Sequence, residues 1–158
     1  MKGQTAIEYL MTYGWAILII LIVAGVLAYY GIFAPAGFLG PSAKGFAQLT
    51  ILSPWDLSSD VAGTLKFQVE NRVGQEIIIT GAKADTGTGG ATTPCTNADL
   101  PQTVAAGGKY PTTGLATYTC PGTAGGSTGS SYTISVEIDY TFGGTALKST
   151  GTLSGSRS

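Results

Sequence analysis

Nine carboxylates, eight cations and two cysteines are the groups in this 158-residue chain that could do chemistry, and there is no histidine. Without histidine there is no His-based triad and no imidazole metal site. Two cysteines fall short of a four-thiolate zinc site. Neither a metal nor another cofactor is expected. A net charge of −1 with no basic patch argues against nucleic-acid binding. Carboxylate chemistry would require Asp56, Asp60, Glu137 and Asp139 to converge in one cleft, and nothing in their spacing brings them together. Glu137 and Asp139 fall on one face of a predicted strand and read as solvated. The chain is therefore expected not to be an enzyme.

Cys95 and Cys120 are the two cysteines. In an exported domain they would pair, closing a loop of roughly 25 residues that contributes on the order of 3 kcal/mol. In a reducing cell they would be two buried thiols. A redox-active pair needs adjacency such as C-x-x-C, which is absent.

One carboxylate stands apart. Glu8 is the only acid before position 50, and no charged residue occurs from 9 to 43. It sits at the head of an apolar run, 9–33, which as a helix of ~1.5 Å per residue is about 37 Å long. That length crosses a ~30 Å hydrocarbon layer with tilt. The run is apolar on every face, so it must be buried in lipid or among other helices. It is too long for the core of a cleaved secretory signal, and the Pro35–Gly37–Gly40–Pro41 stretch behind it lacks a small-residue cleavage pattern. Small residues Gly14, Ala16, Ala24, Gly25, Ala28 and Gly31 would let helix backbones approach closely. Tyr9, Tyr13, Trp15, Tyr29 and Tyr30 gather at the two ends, as an aromatic belt in a bilayer would. A lone membrane anchor and a helix that bundles with copies of itself both fit these features.

The segment MKGQTAIEYLMTYGWAILIILIV resembles the N-terminus of archaeal type IV pilins. Their class III signal peptide is a short basic leader ending in Lys-Gly or Arg-Gly, followed by Gln, a Glu four residues later and an apolar helix. Lys2, Gly3, Gln4 and Glu8 match that pattern over roughly the first quarter of the chain. The resemblance implies that a prepilin peptidase cuts between Gly3 and Gln4. Glu8 would then be the fifth residue of the mature chain. It also implies a helical homo-oligomeric filament at the cell surface, reached from a membrane-inserted precursor with a pilus assembly ATPase and a platform protein. Physically, cleavage frees an α-amine that is mostly protonated near neutral pH. A carboxylate in a low-dielectric helix bundle is tolerable when paired, so Glu8 meeting the amine of a neighbouring subunit would favour one axial register. Alternatively, Glu8 only offsets the helix dipole at its N-terminus.

Beyond position 44 the pattern changes to Ser, Thr and Gly with apolar residues at a period of two. Residues 65–70 and 132–140 alternate most clearly, as half-buried antiparallel strands do. Weaker strands are predicted at 46–52, 77–79, 102–105, 116–120 and 146–153. Residues 71–74 have turn chemistry, and Gly143-Gly144 reads as a hairpin. The Gly/Ser/Thr-rich stretches 87–93 and 122–131 read as exposed loops. No Asn-x-Ser/Thr site occurs, because Asn71 and Asn97 both lack the hydroxyl residue. The expected fold class is α+β. A leader (1–3) and a long N-terminal hydrophobic helix (4–34) are followed by a linker (35–44). A small β-sandwich, Ig-like head (45–158) completes the chain, with a barrel as the other closed solution.

Overall fold

The computed structural model describes residues 4–29 and 40–158. The chain divides into two units, Met1–Phe38 and Leu39–Ser158. The first contains one helix, α1 (Gln4–Tyr29, 26 residues). The remainder of the predicted helix, the leader residues Lys2 and Gly3, and Gly31 lie outside the described residues.

The second unit is built on antiparallel strands in two sheets. Six strands form the first sheet: β1 (Ser42–Lys44), β10 (Thr145–Ser156), β9 (Ser131–Phe142), β4 (Ile77–Thr86), β5 (Pro94–Cys95) and β6 (Gln102–Val104). They run in the order β1-β10-β9-β4, and β5 and β6 share the far edge of β4. Four strands form the second sheet: β2 (Leu49–Leu57), β3 (Thr64–Asn71), β7 (Lys109–Tyr110) and β8 (Ala116–Thr119). There β2 pairs one edge of β3, and β7 and β8 share the other.

Period-two patterning builds the core. In β3, Leu65, Phe67, Val69 and Asn71 are buried and the residues between them are only partly so. Tyr132, Ile134, Val136, Ile138 and Tyr140 do the same from β9. The apolar side chains among these, from both sheets, belong to one buried cluster, in which Phe67 stacks on Tyr118 at 4.4 Å between ring centroids. Gly143 and Gly144 both have positive φ, +56° and +82°, the backbone that a tight two-residue hairpin between right-twisted strands requires.

Two features depart from the sequence expectations, the length of the strand that begins at 77 and the pairing of Ser42–Lys44. Residues 77–79 begin a strand that continues to Thr86, with a register shift between Ile79 and Gly81. Ile77 and Ile79 point into the core before the shift, and Ala82 and Ala84 after it. One inserted residue changes the parity and conceals the strand from a period-two reading. The turn at 71–74 carries the chain from the second sheet to the first, so β3 and β4 are not hairpin partners. Ser42–Lys44, within the stretch expected to be linker, pair with Thr152–Ser154 as an edge strand.

Candidate functional site

The first candidate surface is the helix itself. Within α1 the window Met11–Tyr29 has a mean hydropathy of 2.3, and none of it is buried. Large apolar side chains are exposed around the whole circumference, including Trp15, Leu18, Leu21 and Ile22. Glu8 is exposed at the start of this surface. One turn later, the Thr12 hydroxyl donates to the Glu8 carbonyl at 2.8 Å, so this polar side chain is satisfied within the helix. Tyr9 and Tyr13 lie on one face with ring centroids 4.4 Å apart. A Cβ added at Gly14 or Gly25 would meet nothing within 4 Å. Contacts among the described residues therefore do not require glycine at either position. Ala16 and Ala24 are half-buried and Ala28 is exposed, all on the helix alone. Gln4 is the first described residue, and the proposed cleavage bond before it lies outside the described part.

The cysteines are joined. Cys95 and Cys120 form a disulfide across a separation of 25 residues. Cys95 sits opposite Ala82 on β4 of the first sheet, while Cys120 directly follows β8 of the second. A bridge between Thr96 and Thr119 runs beside it. The bond thus staples one sheet to the other, as suits a protein of an oxidising compartment.

The four carboxylates considered for catalysis do not converge. Asp56 is on β2 opposite Lys66, and Asp60 is in the following loop. Asp60 accepts hydrogen bonds from the Thr64 hydroxyl (2.6 Å) and backbone N–H (3.0 Å). Those bonds, led by the Thr64 hydroxyl, hold its carboxyl well below the usual range. Glu137 and Asp139 lie on β9 in the other sheet. Glu137 is not solvated, as its place in the alternation suggested, but only 7% exposed. Lys83 from β4 donates to it at 2.6 Å, and Lys148 from β10 lies 3.3 Å away. Lys83 also reaches Asp139 at 3.2 Å. The stems of two lysines on flanking strands cover a carboxylate on the outer face. The Lys83 hydrogen bond lowers the Glu137 pKa against the opposing effect of burial, and the same bond raises that of Lys83. Among the described residues, no group of three or more His, Cys, Asp or Glu side chains is placed to hold a metal ion.

Asn71 is a structural residue that sequence reading missed. It is fully buried at the end of β3. Its side-chain amide donates to the carbonyls of Gln75, Val104 and Ala105 at 2.7–3.0 Å, and its oxygen accepts from the Val73 N–H at 2.9 Å. The signal was present only as generic turn composition, since the 104–105 carbonyls arrive from over thirty residues away.

No family model matches the chain. No curated protein matches it significantly either. The functional reading of this chain therefore rests on its own residues and on the helix and head just described.

Proposed function

We propose that this chain is the structural subunit of a surface filament of the archaeal type IV pilus kind. In this reading the α1 helices bundle as the filament core, and the β-unit, a β-sandwich of Ig-like kind, forms the outer wall. The observation that carries the reading is a 26-residue helix, apolar all round, whose Met11–Tyr29 window is unburied among the described residues. Burial of that surface is favourable by about 25 cal/mol per Å² against water, but lipid is equally apolar. Leaving the membrane for a filament must therefore be driven by helix packing, pairing of Glu8 and contacts between heads. The Lys2-Gly3-Gln4 motif, with cleavage between Gly3 and Gln4, adds support as a processing site for a prepilin peptidase. The chain then does no covalent chemistry and is itself the substrate. An assembly ATPase and platform protein would supply the work of extrusion.

The same helix is about 39 Å long, which also suits a single-span anchor carrying a binding or adhesion domain that never polymerises. The two readings separate on the native protein. Mass spectrometry of the mature N-terminus should find Gln4, with filaments visible by electron microscopy of the cell surface. An intact Met1 and no filaments would favour the anchor. Glu8→Ala should insert into the membrane but fail to assemble, and normal filaments from that variant would remove the register role.

A further inference from the structure

We propose that the cleft between the β4–β5 loop and strand β1 is a binding site for a carboxylated sugar. The cleft has a volume of about 350 Å³ and opens on the outer face of the first sheet. Ser135, Thr150 and Thr152 form its floor, Thr88 and Ala91 one wall, and Lys44 the other. The loop wall is fastened down. The Ser135 hydroxyl accepts from the Gly90 N–H at 3.2 Å and donates to the Gly87 carbonyl at 2.8 Å. At the base of the loop, Asp85 accepts from the Thr92 N–H and hydroxyl and from the Thr93 N–H. The Thr93 side chain foremost, with these bonds from Thr92 and the Thr93 backbone, holds the Asp85 carboxyl well below its ordinary range.

The groups left over define the ligand. Among the described residues, no hydrogen bond engages the hydroxyls of Thr88, Thr150 or Thr152, and no carboxylate pairs with Lys44. The nearest acids are occupied: Asp85 by the loop and Glu137 by Lys83 and Lys148. The lining contains no carboxylate and no aromatic ring. Three free hydroxyls suit a polyol, each able to donate and accept. An unpaired ammonium at the rim suits an anion. A neutral sugar finds no ring to stack on, so the carboxylate is the anchor and the hydroxyls choose the body. The volume lies at the small end of the range for small-molecule sites, which fits one sugar ring rather than a chain. The site does not depend on polymerisation, because all its residues belong to one β-unit.

Calorimetric titration of the full chain in detergent micelles tests this with glucuronate, glucose and acetate as probes. Glucuronate should bind with a Kd of about 1 mM, and glucose and acetate at least about tenfold more weakly. Lys44→Ala should weaken glucuronate about fivefold, Lys44→Arg should retain it, and Thr150→Val should weaken it about twofold or more. Lys44 and Thr150 are both exposed, so these variants should keep the fold. Three results would overturn the proposal. They are no heat with glucuronate at about 50 mM, equal binding of acetate (a simple ion site), or unchanged affinity in Lys44→Ala.

Discussion

Helix α1 and the β-unit use the same apolar side chains in opposite ways. Leu65 in β3 is 0% exposed, whereas Leu21 in α1 is 67% exposed. In the strands, apolar residues alternate with polar ones, so one face can be buried by a second sheet of the same chain. In the helix they occupy every face, and no single neighbour could cover them. The β-unit thus buries its own apolar face, while the helix carries apolar surface on every side that is unburied among the described residues. Core mutations should therefore act on folding in the strands and on insertion or assembly in the helix.

The largest expected effect tests that division directly. Phe67→Ala removes a fully buried ring stacked on Tyr118 and should destabilise the β-unit by about 4 kcal/mol in denaturant titration. Leu21→Ala should leave that midpoint unchanged within about 0.5 kcal/mol. A comparable loss in both variants would mean that the helix contributes to the stability of the β-unit. Next, removing the staple between the sheets by Cys95→Ser with Cys120→Ser should cost about 3 kcal/mol, read in the same titration. Reducing agent should lower the wild type to the level of the double variant.

Asn71→Ala should cost about 2 kcal/mol, because it leaves three carbonyls and a backbone N–H short of a partner at a buried site. Amide hydrogen exchange should show faster opening at 104–108 and 72–76 before the rest of the unit. The smallest effect concerns charge. Glu137→Gln should cost about 1 kcal/mol at neutral pH, since one of its partners is largely exposed. The folded-state pKa of Glu137 is lowered by Lys83. Its stabilisation is accordingly present above the ordinary carboxylate range and is lost as pH falls through the lower folded value. Thermal melts of wild type and Glu137→Gln should converge as pH drops from 5 toward 2, the window set by that direction. A gap that persists at low pH would mean that the residue acts through packing.

Strands at 65–70 and 132–140 were legible because each keeps strict alternation through its length. The Gly143-Gly144 hairpin was legible because both positions need positive φ. Two-residue strands such as β5 and β7 were not, since so short a segment carries no period. The full length of β4 was hidden by its bulge. Glu137 was misread for a different reason. Alternation assigns it to the outer face, which is correct, but says nothing about Lys83 and Lys148, which cover that face from β4 and β10. For the helix, pattern alone gave the apolar character of every face, while Lys2 and Gly3 of the leader motif lie outside the described residues.

By itself the sequence determined the division of the chain: an uncharged apolar helix headed by one acid, then a β-region with a disulfide-capable pair. Those properties are local, set by hydropathy and by periods of 3.6 and 2 along the chain. Only the tertiary structure decided which strands share a sheet, and with that the placing of the disulfide between sheets. It also decided the burial of Glu137 and Asn71, and the cleft beside Lys44. Each of these depends on residues distant in sequence meeting across strands, and a period constrains which face a residue takes but not who stands opposite.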